Sequence, residues 1–171
     1  MPAKASRSDM FCVLGVLTIL LLADSSKAQS VIYIVRHAEK ELTGDQPLTE
    51  AGKNRAQALA GLLKNAHIKA IYTSDALRTQ QTAQPLATAL SIGLNKIPNG
   101  DAGKTYESAL HDHWNDAILI VGHTDTIPDL LNKWAANAHI TIDDADFSTL
   151  LVVTPEAPSR AGWARLRYET P

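Results

Sequence analysis

Residues 31–37 read Val-Ile-Tyr-Ile-Val-Arg-His and residues 117–123 read Ala-Ile-Leu-Ile-Val-Gly-His. Both begin as unbroken apolar runs, rich in β-branched side chains, which is the composition of a strand buried on both faces. Each run gives way at once to a dipeptide ending in histidine. Between the two, Thr49 can cap a helix with Glu50 in its first turn and Ala56, Leu59, Leu63 and Ala66 along one face, ending near Asn65. Residues 68–73 read as a second strand, followed by a helix from Ala76 toward Leu90 that Ser74 or Asp75 can cap and that Pro85 is expected to kink or interrupt.

Beyond a Gly- and Pro-containing stretch at residues 97–103, a weaker helical pattern covers residues 105–114. Thr126 can cap a helix that tolerates Pro128 in its first turn and carries Leu130, Leu131 and Trp134 on its apolar side. Residues 147–153 and 163–168 flank a polar, Pro-containing loop and are expected to pair as a hairpin. Alternation of strand and helix predicts an α/β fold, a three-layer sandwich with a mostly parallel central sheet. Such sheets bind ligands beyond the carboxyl ends of their strands, and both histidine dipeptides fall at strand ends.

The chain has 171 residues, 45% hydrophobic and 20% charged, enough for one domain with a substantial core. Sixteen Lys and Arg against eighteen Asp and Glu give a net charge of −2, so no global basic field exists to hold nucleic acid or an anionic membrane. Cys12 is the single cysteine, which excludes an internal disulfide or a thiolate metal cluster.

Lys4 and Arg7 precede an apolar run over residues 10–23, and Ser26-Lys27-Ala28 follows. This is the pattern of a secretory signal peptide, and cleavage after Ala28 is expected, leaving residues 29–171 as one periplasmic or secreted domain without stable membrane insertion. The run is short for a membrane span, but retention as an N-terminal anchor stays open.

Three segments carry the chemistry: Arg36-His37-Ala38-Glu39-Lys40, Ser74-Asp75-Ala76-Leu77-Arg78-Thr79-Gln80-Gln81-Thr82-Ala83 and Val121-Gly122-His123-Thr124-Asp125-Thr126. In this order, each at a strand end or the adjoining helix start, they resemble the histidine phosphatase superfamily, with its phosphoglycerate mutase-like fold. The resemblance implies hydrolysis of phosphomonoesters through a phosphohistidine on His37, with His123 stabilising the transferring group and Arg36 and Arg78 binding phosphate. Arginine forks suit phosphate oxygens, and one nitrogen of His37 must be unprotonated to attack. Backbone N–H groups after Gly122 could add anion donors. The implied cycle requires no cofactor and no metal.

An alkoxide leaves poorly, so the ester oxygen needs an acid. Asp101 is preferred because its Gly-containing loop can approach the pocket, with Asp125 and Glu107 as alternatives. Two further readings stay open: a phosphohistidine side chain as substrate, whose good leaving group needs no carboxylic acid, and a catalytically silent phosphate-binding module. A phosphotransferase is a weaker rival, and export argues against work on a cytosolic glycolytic substrate. Ser74 reads as a helix cap rather than a phosphate ligand, Glu39 and Lys40 as a solvated loop, and Asp143, Asp144 and Asp146 as a solvated turn. His111 and His113, two apart on a helix, point to different sides and do not chelate.

Overall fold

A computed structural model of the chain describes residues 30–43, 46–136, 138–157 and 160–170. The expected signal peptide, residues 1–28, lies outside the described residues. The order of elements is β1 (Ile32–Arg36), α1 (Glu50–Leu63), β2 (Ile68–Ser74), α2 (Leu77–Leu90), β3 (Leu94–Ile97), a 3-10 turn (Pro98–Gly100), α3 (Ala102–His113), β4 (Ala117–Gly122), α4 (Thr126–Trp134), β5 (Thr149–Ala157) and β6 (Arg160–Arg167). These strands form one sheet in the order β3-β2-β4-β1-β5-β6. The first four in that order run parallel, while β5 and β6 are antiparallel to their neighbours.

The alternation of side chains along the central strands divides the core into two layers. Ile34, Ile118 and Ile120 face α3 and α4, packing with Ala109, Ile127, Leu131 and Trp134. Val35, Leu119 and Val121 face α1 and α2, packing with Leu59, Leu63, Ala83 and Leu86. Each fully buried aliphatic side chain contributes about 1.5–3 kcal/mol relative to exposure. This is the expected three-layer arrangement, and the carboxyl ends of β2, β4 and β1 lie side by side at one edge of the sandwich.

Local chemistry sets the element boundaries. Thr49 caps α1 as expected, its Oγ1 accepting from Gly52 N–H at 3.1 Å. Helix α3 begins three residues earlier than its apolar pattern suggests, because Asp101 caps it by accepting from Lys104 N–H at 3.0 Å. Pro85 does not interrupt α2, which runs from Leu77 to Leu90 around it. The proline removes one backbone donor, while burial of Ala83, Leu86 and Ala87 holds the helix to the sheet on either side of it. Strand β3 had no sequence signature, since Leu94-Asn95-Lys96-Ile97 is a short edge strand with no buried residue.

Candidate active site

The first and third motifs are joined through the backbone. His37 N–H donates to Gly122 O at 3.0 Å, extending the β1–β4 ladder by one bond past the end of β1. The two imidazoles are thereby brought together, with ring centroids 5.4 Å apart and planes inclined at 62°. His37 is 3% exposed, and its Nδ1 lies 2.8 Å from Ala38 O. A carbonyl only accepts, so Nδ1 carries the proton and Nε2 keeps its lone pair. Burial, helped by the charges of Arg36 and Arg78, pushes the His37 pKa down to about 4 against the opposing pull of the Ala38 bond. His37 is therefore neutral at physiological pH, as a nitrogen nucleophile requires.

His123 begins the turn from β4 into α4. Its pKa is also lowered, by burial first and by Arg78 next. Its Nε2 is 3.0 Å from Ser74 Oγ and its Nδ1 is 3.5 Å from an Arg78 amino group. Arg78 sits in the first turn of α2, with its other amino group donating to Gln46 Oε1 at 3.2 Å. Gly100, at φ +64°, packs its backbone here; a Cβ on it would stand 3.2 Å from His123 Cδ2.

His37, Ser74, Arg78 and His123 line an open cleft of about 600 Å³, together with Lys40, Asp125 and Asp144. A larger groove of about 1020 Å³, between α1 and the β5–β6 hairpin, is lined by apolar residues such as Leu62, Leu150 and Leu166 and contains none of the motif residues. The motif histidines and Arg78 belong to the smaller cleft.

Arg36 departs from its expected place. It is absent from the lining of the cleft and is held by the turn before β5, donating to Asp143 O at 3.2 Å and Asp144 O at 2.5 Å, with its guanidinium 4.3 Å from the Phe147 ring centroid. Asp143 and Asp144 are exposed there, as expected of a solvated turn, and Asp144 also lines the cleft. The buried Nε atoms of Arg36 and Arg78 have no hydrogen-bond partner among the described residues.

The structure does not bring Asp101 into the cleft. Its carboxylate is committed to the cap of α3, and it lines a separate depression with Asp129 and Lys133. Glu107 is exposed on α3 and does not line the cleft either. Of the three acids considered, Asp125 alone lines it. The reason is the early start of α3, which turns Asp101 into a capping residue. His123 N–H, one of the backbone groups expected as an anion donor, is taken by Thr126 Oγ1 at 2.9 Å. His111 and His113 bond different carboxylates, Asp112 and Asp116.

Several supporting residues carried no sequence signal of their own. Thr82 Oγ1 accepts from Ala38 N–H at 2.9 Å, tying the His37 loop to α2. Gln81 accepts from Leu48 N–H at 2.7 Å. Glu39 is not solvated but forms a bidentate pair with Arg55 of α1, at 2.7 and 2.9 Å. Lys40 does reach the cleft rim. The second and first motifs thus fold as one unit, although 44 residues separate Ala38 from Thr82.

Comparison with known proteins agrees with this geometry. Residues 32–99 match the model of the "Histidine phosphatase superfamily (branch 1)". A "Probable phosphoglycerate mutase GpmB" of Photorhabdus laumondii is 39% identical over 64 residues, covering 33% of this chain and 30% of that protein. Its counterpart in Yersinia pestis is 39% identical over 75 residues, 39% of this chain and 35% of the relative. The matched segments therefore span about a third of these relatives. Among solved structures, the protein histidine phosphatase SixA complexed with tungstate superposes with a TM-score of 0.66 at 21% identity, covering 80% of this chain and 96% of that one. A mycobacterial glucosyl-3-phosphoglycerate phosphatase gives 0.62 at 15% identity, covering 81% and 99%. At those identities the likeness is one of fold. Residues 32–99 thus match the histidine phosphatase superfamily in sequence, and four fifths of the chain share the fold of a protein histidine phosphatase.

Proposed function

We propose that this protein is an exported phosphatase that hydrolyses phosphomonoesters through a phosphorylated His37. The observation that carries the reading is the fixed tautomer of His37, whose Nδ1 donates to Ala38 O and whose Nε2 lone pair remains for attack. In the first step Nε2 forms a bond to phosphorus and the ester P–O bond breaks. The departing oxygen takes a proton from Asp125, the acid candidate that lines the cleft. In the second step the Asp125 carboxylate takes a proton from water as the water oxygen bonds to phosphorus, the P–N bond breaks with its electron pair returning to Nε2, and inorganic phosphate leaves. Arg78 and His123, which line the cleft, offset the charge of the transferring group, and the Arg36 charge acts on it from outside the cleft. Every proton and charge is handled by side chains of the chain, so no metal enters the scheme.

The segment at residues 1–28 supports export to a periplasmic or secreted location. The substrate is then an organic phosphate met outside the cytoplasm, held mainly by its phosphate group in an open cleft. A phosphohistidine side chain is the second reading, favoured by the fold shared with the protein histidine phosphatase SixA and by motif spacings of about 40 residues, which leave little room for a lid.

Asp125→Asn is expected to slow alkyl phosphate hydrolysis by on the order of 10²-fold or more while changing aryl phosphate hydrolysis far less, because a phenolate needs little protonation. Steady-state rates on the two substrate types check this, and equal losses on both would remove Asp125 as the acid.

A further inference from the structure

We propose that Ser74 and Thr79 are positioning residues that lock His123 as the tautomer with its proton on Nε2 and its lone pair on Nδ1. The argument is an accounting of protons along a buried chain. Thr79 is fully buried, and its Oγ1 lies 2.8 Å from Ala76 O and 3.2 Å from Ser74 O, two groups that only accept. Its one proton therefore goes to a carbonyl. Ser74 Oγ lies 2.8 Å from Thr79 Oγ1, so the proton of that bond comes from Ser74. Ser74 then has none left for His123. The 3.0 Å contact between Ser74 Oγ and His123 Nε2 must be donated by the imidazole. The remaining lone pair of Ser74 Oγ accepts from Ala76 N–H at 3.2 Å, which completes its bonding.

The other end of the chain gives the same answer independently. Arg78 has only donors, so the nitrogen it approaches at 3.5 Å, Nδ1, must be the acceptor. The relay thus runs in one direction, from Arg78 through His123, Ser74 and Thr79 to the carbonyl of Ala76. Ser74 ends β2 and Thr79 lies in the first turn of α2, so the strand-to-helix corner that carries Arg78 also sets the proton of His123. The consequence, which rests on the phosphatase reading, is that a proton acquired by His123 arrives on Nδ1, beside Arg78. The positive charge then forms next to the phosphate-binding arginine.

Thr79→Val keeps the volume and removes the hydroxyl. Ser74 O–H then loses its acceptor, and the nearest alternative is His123 Nε2, which would have to give up its proton. Ring-nitrogen NMR of the full chain, with the His123 signals assigned by their loss in His123→Asn, reads the tautomer directly and without any substrate. The expected result is a proton on Nε2 in the parent, a shift toward the Nδ1-protonated form in Thr79→Val, and the parental pattern in Thr79→Ser. With an aryl phosphate, Thr79→Val is expected to lower kcat by about tenfold with little change in KM, and Thr79→Ser to restore it. A proton on Nδ1 in the parent, or a parental ring pattern in Thr79→Val, would overturn the proposal, even where kcat falls. If the chain hydrolyses no phosphoester at all, the ring measurement still decides the tautomer, so the two failures are told apart.

Discussion

At the scale of single residues, the state of His37 is set by a competition between burial and bonding, and burial wins. The Ala38 carbonyl would stabilise an imidazolium, yet desolvation with Arg36, His123 and Arg78 nearby brings the pKa to about 4. The His37 ring signal is accordingly expected to titrate with a midpoint near pH 4 in a proton NMR titration; a midpoint at the ordinary value of about 6.5 would contradict the account. The same shift has a sign for stability. Between about pH 6.5 and 4 the unfolded chain binds a proton that the folded one does not, so this group lowers stability as the pH falls through that window. The four residues assigned to the proposed site are legible in sequence, because apolar strand runs end at Arg36-His37 and Gly122-His123 and a helix start carries Arg78. Their partners were not. Ala38 O, Ser74 and Thr79 act through atoms whose meeting depends on where β1, β2 and α2 end.

At the scale of elements, the site is held by contacts between the first motif and the helices around it. Gly52, in the first turn of α1, is one such contact: a Cβ there would stand 2.1 Å from Glu39 O, a backbone atom that cannot move aside alone. Gly52→Ala is expected to cost about 1–3 kcal/mol and to lower activity, since the displaced segment leads back to His37. Thermal melts and aryl phosphate rates check it, and parental values for both would show that α1 and the motif yield freely. Asp146 plays the matching part at the start of β5. It accepts from Thr149 Oγ1 at 2.7 Å, Ser148 N–H at 3.0 Å and Arg165 at 2.9 Å with only 9% of its side chain exposed. Burial alone would raise its pKa, but the bonds from Thr149, Ser148 and Arg165 together hold it well below the carboxylate range. Its contribution to stability is therefore complete above about pH 4 and declines as the pH falls below that. Asp146→Ala should cost about 1–3 kcal/mol in denaturant melts at pH 7, with a smaller difference from the parent at pH 3. An equal difference at both would contradict a charged role. In sequence Asp146 looks solvated, because a run of Asp residues before a strand has the pattern of a turn. Its burial depends on Arg165 arriving from β6.

At the scale of the molecule, the alternation of strands and helices gave the three-layer sandwich and the place of the cleft. The misplaced acid shows where sequence runs out. Asp101 lies close in sequence to Gly100, whose backbone does touch His123, yet its side chain faces the other way to cap α3. Proximity along the chain did not give direction. The edge strand β3 and the grip of residues 143–147 on Arg36 were likewise invisible, because both are made by neighbours far away in sequence. What converges at the strand ends is still the proposed phosphoryl-transfer apparatus, and its central claim is that His37 carries the phosphoryl group. The most direct test is hydrolysis of an aryl phosphate by the full chain in the presence of a chelator, beside His37→Ala. The account predicts turnover by the parent and a loss on the order of 10³-fold or more in the variant. A loss under tenfold, or a folded parent that binds phosphate without turning over any ester, would contradict it.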